Sequence, residues 1–248
     1  MATNSLSNAE IAKFGALADR WWDPEGPFKP LHKMNPIRLD YLRSHICAQF
    51  GRAPSGSNPF RGLNIVDVGC GGGLLAEPLT RMGANVTGID AASEGIDAAR
   101  EHAEAMSLAI EYDVMTADAL AQTGRRFDVV TALEIIEHVT DRTAFLSDLA
   151  ALVKPEGLVI LSTLNRTPQS YAMAIVGAEY LLRWLPVGTH DWNTFPTPDE
   201  LKREAAAGGL SIVDVSGLNY NPMLDRWRIS SDVSINYAAV AIPESPSK

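Results

Sequence analysis

Glu134, Glu137 and His138 stand at i, i+3 and i+4, positions that share one face wherever the chain turns helical. Two carboxylates and an imidazole on one face could hold a hard cation such as Mg²⁺, which takes few protein ligands and keeps water positions for a substrate. A hydroxyl bound to that ion would lose its proton more easily, and His138 offers a base near neutral pH. The alternative is that the two acids merely favour a helix N-terminus while His138 caps or packs. His190, in the loop His190-Asp191-Trp192, is a second candidate base or an ordinary loop histidine. Arg38 follows Pro36, whose ring suits a first helical turn, so a helix is expected to start at Pro36. A cation there works against the helix dipole, and residues set against local preference are candidates for function. A guanidinium can grip a carboxylate through two parallel bonds; otherwise Arg38 is a solvated surface residue.

These side chains need a scaffold, and Val66-Asp67-Val68-Gly69-Cys70-Gly71-Gly72-Gly73-Leu74 predicts one. It closes an apolar run short enough for a buried parallel strand, and after the glycines the apolar residues resume at helical spacing. A strand, a glycine turn and a helix make the first half of a βαβ unit. A dinucleotide fingerprint needs a third small residue, but that position is Leu74. The pattern is instead acid-x-Gly-x-Gly-x-Gly, from Asp67, Gly69, Gly71 and Gly73. This arrangement resembles motif I of the class I S-adenosylmethionine (SAM) methyltransferases, which implies a sulfonium nucleoside lying across the turn. Residues 84–90 read as a second strand ending in Asp90, about 20 residues after the first glycine, as expected of an acid that accepts from ribose hydroxyls. Asp90 could also cap a helix beginning near Ala92.

Composition narrows the class. The 248 residues are 46% apolar, enough for a substantial core, and carry a formal charge of −9, which argues against nucleic acid as a partner. Cys47 and Cys70 lack metal-ligand spacing and read as reduced thiols in a cytosolic protein. The N-terminus lacks the regions of a signal peptide, and nothing reaches the roughly 18 consecutive apolar residues of a membrane span.

Along the chain, Ser7-Asn8-Ala9-Glu10 has capping-box spacing before an apolar helical face at Ile11, Phe14, Ala18 and Trp21. Residues 23–36 hold four prolines and predict an irregular connection. Further strands are expected near 110–114, 127–133 and 158–163, with Lys154-Pro155-Glu156-Gly157 a turn, and an antiparallel pair at 210–218 and 234–242. Asp118 is either an acceptor for an adenine amino group or a turn acid. Ligands of open α/β sheets bind beyond the carboxyl ends of strands, so Leu133 belongs at the cofactor. Leu133-Glu134-Ile135-Ile136 lacks the Asn/Asp-Pro-Pro-aromatic turn expected of methyltransferases acting on nucleobase amines. Residues 171–185 are almost wholly apolar, with Glu179 and Arg183 on one face. This helix is too short to span a bilayer and suits a lid, an interfacial membrane contact, or both.

The chain resembles the ubiquinone-biosynthesis O-methyltransferase (UbiG) family in Pro30-Leu31-His32-Lys33-Met34-Asn35-Pro36-Ile37-Arg38, in the glycine motif, in Glu134-Ile135-Ile136-Glu137-His138-Val139, in Ser162-Thr163-Leu164-Asn165-Arg166, in Val176-Gly177-Ala178-Glu179-Tyr180 and in Gly188-Thr189-His190-Asp191. Glu156 stands where that family usually has glycine. The resemblance implies one α/β, Rossmann-like domain over 1–248 with a mostly parallel seven-stranded sheet. Its parts are N-terminal cap helices (7–50), a SAM-binding core (61–165), a lid and membrane-contact insertion (166–197) and a sheet-completing segment (198–242). It implies SAM contacts at Arg38, Gly69, Gly71, Asp90 and Leu133, Mg²⁺ at Glu134, Glu137 and His138, and His138 or His190 as base. The substrates implied are the polyprenylated catechols 2-polyprenyl-6-hydroxyphenol and 3-demethylubiquinol. It further implies a cytoplasmic protein held peripherally on the inner membrane through residues 171–185, beside other ubiquinone-biosynthesis enzymes.

Overall fold

Ile65, Val66, Val129, Val130, Ile160 and Leu161 are all buried, as continuous apolar runs must be when a parallel sheet is covered on both faces. The computed structural model describes residues 20–173, 191–221 and 223–244. Its strands are β1 (Asn64–Val68), β2 (Asn85–Asp90), β3 (Glu111–Val114), β4 (Phe127–Leu133), β5 (Val153–Leu164), β6 (Leu210–Asn221), β7 (Arg226–Ser230) and β8 (Asn236–Pro243). Its helices are α1 (Lys29–Gln49), α2 (Ala76–Arg81), α3 (Ser93–Ala105), α4 (Ala117–Gln122), α5 (Arg142–Leu152) and α6 (Pro198–Ala207), with shorter helical turns at Ile136–His138, Pro168–Ser170 and Trp192–Thr194.

The strands form one sheet in the order β3-β2-β1-β4-β5-β8-β6-β7. The first five are mutually parallel, and β8 lies antiparallel between β5 and β6. Helices cover both faces. Tyr41, Leu42 and Ile46 of α1 pack with Leu79, Ile96 and Ala99 against Ile65, Val129 and Ile160. Leu120, Phe145, Leu149 and Leu201 pack on the opposite face against Val66, Val130 and Leu161. The order reverses between β1 and β4, and a crevice at the carboxyl ends of those two strands is where such sheets take ligands.

Three expectations need correction. The sheet has eight strands among the described residues, not seven. The added one, β7, is a short edge strand whose alternation Arg226-Trp227-Arg228-Ile229 is too charged to read as a core strand, and it pairs with β6 through Asn219↔Arg228 and Tyr220↔Trp227. The helix expected from Pro36 begins at Lys29, with Pro30 in its first turn and Pro36 in its interior. Arg38 therefore stands mid-helix, and the dipole argument for it falls away. Residues 154–157, expected as a turn, lie inside β5 as an irregularity of register with β4. The helix predicted at the N-terminus, the apolar helix beyond residue 173 and His190 fall outside the described residues.

Candidate active site

The turn after β1 is held in place by β2. Gly69 and Cys70 donate their amides to the Ile89 carbonyl at 2.8 and 3.0 Å, and Gly71 donates to Asp90 Oδ2 at 2.9 Å. Gly69 and Gly71 have φ of +73° and +50°, a region where a side chain is strained. An added Cβ would also come within 2.3 Å of Ile135 at Gly69 and 2.4 Å of Trp21 at Gly71. At both positions a neighbouring side chain fills the space a Cβ would need, so only glycine lets the turn pack this closely.

Asp90 ends β2, and its Oδ1 accepts from the Ala92 amide at 2.8 Å. Burial pushes its carboxyl up, opposed by the backbone amides of Ala92 and Gly71. Ala92 is the residue before α3, which has no side-chain cap, so Asp90 does not perform the capping role weighed for it, and each oxygen keeps a second lone pair for a ribose hydroxyl. Asp118, in the first turn of α4, has its Oδ1 buried without a hydrogen-bond partner. An unmatched acceptor suits an amino donor such as that of adenine.

Arg38 is 7% exposed. Its Nη2 lies 3.1 Å from Glu134 Oε1, yet neither Nε nor Nη2 has an aligned hydrogen-bond partner. A buried guanidinium edge with unused N–H groups is costly unless something anionic meets it. Arg38 is therefore not the solvated surface residue of the alternative reading.

Glu134 explains much of the site's geometry. It follows Leu133, which ends β4 half-buried opposite Ser162. Its φ is +53°, costly for a residue with a side chain and typical of functional sites. The twist sends its carboxylate toward Arg38 and toward Ser162 Oγ, which donates at 2.7 Å. Glu137 points elsewhere. It is buried and accepts from Thr163 Oγ1 at 2.8 Å, and burial, then the charge of Glu134, raises its carboxyl. The predicted metal trio is consequently not assembled. No group of three His, Cys, Asp or Glu side chains able to hold a metal ion exists among the described residues. The i, i+3, i+4 argument presumed an α-helix, whereas only Ile136–His138 is helical, as a 3₁₀ turn.

Asp67, behind the turn, is 3% exposed and accepts from Thr131 Oγ1 at 2.8 Å. Burial pushes its carboxyl up to about 7. The folded state therefore holds this proton more tightly than the unfolded chain, whose carboxyl titrates near its ordinary value of about 3.9. Below both values Asp67 contributes nothing. Between them the unfolded chain releases the proton first, so stability falls as pH rises toward 7 and stays reduced above it. Asp67→Asn is expected to raise the melting temperature at pH 8 and to leave it unchanged near pH 4, as read by calorimetry at both pH values.

Sequence reasoning missed Trp21 and Trp22, which lie on the glycine turn rather than along a helical face. Their only signal was two adjacent tryptophans before Asp23-Pro24.

A family model described as a methyltransferase domain matches residues 39–215. The chain is 52% identical over 241 residues to the ubiquinone biosynthesis O-methyltransferase of Dinoroseobacter shibae, covering 97% of each chain. It is 51% identical over 240 residues to the mitochondrial ubiquinone biosynthesis O-methyltransferase of Arabidopsis thaliana, covering 96% of this chain and 74% of that one. Among solved structures, the magnesium protoporphyrin IX methyltransferase of Synechocystis PCC 6803 with bound SAM shares the fold, with a TM-score of 0.63 at 18% identity and coverage of 98% of this chain and 100% of the other. A parallel sheet with a glycine turn at its reversal point, joined to half-identity along nearly the whole chain, places this protein in the ubiquinone biosynthesis O-methyltransferase family.

Proposed function

We propose that the chain transfers the methyl group of SAM to hydroxyls of polyprenylated catechols in ubiquinone biosynthesis, 2-polyprenyl-6-hydroxyphenol and 3-demethylubiquinol. The observation that carries the reading is the buried guanidinium of Arg38, with unused N–H groups, at the sheet's reversal point beside the glycine turn. The donor's amino-acid carboxylate supplies an acceptor for the Arg38 N–H groups that Glu134 leaves unused. Asp90 takes the ribose, Asp118 the adenine amino group, and Gly69, Gly71 and Leu133 form the floor. The residues present fit the donor in charge and hydrogen-bonding capacity.

Bound SAM supplies an electrophilic methyl on a sulfonium. His138 accepts the proton of the substrate hydroxyl as the oxygen forms its bond to carbon and the carbon–sulfur bond breaks; His190 is the other candidate base. The products are the methyl ether, S-adenosylhomocysteine (SAH) and a proton on the base. The protein's main contribution is alignment, worth roughly 7–11 kcal/mol where two reactants are held in attack geometry.

Glu134 and Glu137 do not fit Mg²⁺, since one is turned to Arg38 and Ser162 and the other to Thr163. No step is routed through a metal. Turnover in chelator is expected to stay within about twofold of that with added Mg²⁺; a loss of most activity, restored by Mg²⁺, overturns this.

Residues 171–185 are read as a contact with the inner membrane, where a prenyl tail would reside. No helix among the described residues is long and apolar enough to cross a membrane. Tyr171 and Met173, at the start of the segment, are half-exposed. With a net charge of −9, such binding draws mainly on apolar area. The deciding assay supplies SAM with a short-chain demethylubiquinol or with a water-soluble catechol. Methylation of the first and poor use of the second is expected. No methylation of the quinol overturns the substrate assignment.

A further inference from the structure

Gly71, Gly72 and Gly73 are the part of the site with the most backbone freedom to lose on ordering, and two independent contacts hold the first two. Gly71 gives its N–H to Asp90. The Gly72 carbonyl accepts from Trp22 Nε1 at 2.9 Å. The dipeptide is therefore pinned at both ends, at one by an acid of the candidate donor site and at the other by a residue 50 positions earlier, outside that site.

Trp22 is itself braced. Its indole stacks on the His102 imidazole, with centroids 3.5 Å apart and planes 4° from parallel. His102, in the last turn of α3, sets Nδ1 2.5 Å from Glu77 Oε1. Glu77 lies in the first turn of α2, is fully buried, and also accepts from Arg81 at 2.9 Å. Trp21 next door lies over Gly71 and Gly72 and stacks on Phe28 at 3.6 Å, while its carbonyl lies 2.8 Å from His32 Nε2. The strap at Trp21–Phe28 is thus fastened to the turn and to the helix after Asp90, and through His102 to the helix after the turn.

We propose that Trp22, backed by His102 and Glu77, is a positioning residue for the methyl donor, holding the glycine turn in its binding conformation before the donor arrives. The inference rests on the reading that this turn holds SAM. Ordering a flexible segment in advance lowers the entropic cost of binding. Loss of the Trp22 bond moves that cost onto the binding step. The consequence falls on donor affinity and spares the chemistry.

Trp22→Phe keeps a ring for the stack and removes the N–H. Its dissociation constant for SAH, measured by calorimetry, is expected to rise about three- to tenfold, the range of one hydrogen bond. KM for SAM should rise in parallel, with kcat at saturating SAM unchanged. Amide exchange at residues 71–75 should quicken in the free protein and return to the wild-type rate when SAH is bound. His102→Ala, which removes the platform, should shift affinity in the same direction. An SAH affinity within twofold of wild type in Trp22→Phe overturns the proposal, whatever happens to its melting temperature. Gly71→Ala separates the two readings. If it binds SAH as wild type does, the turn is not the donor site. If it loses SAH while Trp22→Phe does not, only the role of Trp22 fails.

Discussion

Alanine at His138 is expected to lower kcat by about 10²–10⁴-fold, the contribution of a positioned general base, while SAH binds with unchanged affinity. His138 ends the 3₁₀ turn that leaves the carboxyl end of β4, the edge on which the glycine turn and Asp90 also lie. It neighbours the buried Glu137 carboxyl, which burial and then the charge of Glu134 push up, with His138 pulling the other way. A base removed by mutation can be partly replaced by hydroxide, so residual turnover in His138→Ala should climb with pH where the wild type levels off. Full turnover in that variant removes His138 from the chemistry and moves the role to His190, which the same experiment on His190→Ala examines.

The second large effect falls on Arg38. Arg38→Met should weaken SAH binding by about a hundredfold, since charge-assisted hydrogen bonds contribute about 1.5–3 kcal/mol and each 1.4 kcal/mol is about tenfold in affinity. Arg38→Lys should recover only part of this, because an ammonium cannot offer two parallel bonds. A complication is that losing Arg38 leaves Glu134, 17% exposed at its side chain, without its cation. The double variant Arg38→Met with Glu134→Gln removes that stranded charge, so a cycle over the four proteins separates loss of the donor contact from electrostatic strain. Binding by Arg38→Met within threefold of wild type would remove the guanidinium from the donor site.

Much of the fold was legible because its signals are local. Short apolar runs, glycines after an acid and capping chemistry act within a few residues, so β1, β2, β4 and α3 lie where periodicity places them. Pro36 misled because a proline is tolerated inside α1 once tertiary packing of Tyr41, Leu42 and Ile46 stabilises the helix around it. β7 was hidden because an edge strand has one paired side and can carry arginines.

What the sequence by itself determined is the α/β alternation, the glycine turn with Asp67 and Asp90, and the residues able to do acid, base and ion-pair chemistry. What only the tertiary structure decided is which of them meet. A single left-handed residue, Glu134, separates it from Glu137 and gives it to Arg38, and a strap far away in sequence lays Trp22 on Gly72. Residue types and spacings state which interactions are available. Backbone dihedrals after a strand, and contacts between segments 50 or more positions apart, are set by the packing of the whole sheet, and no local pattern carries them.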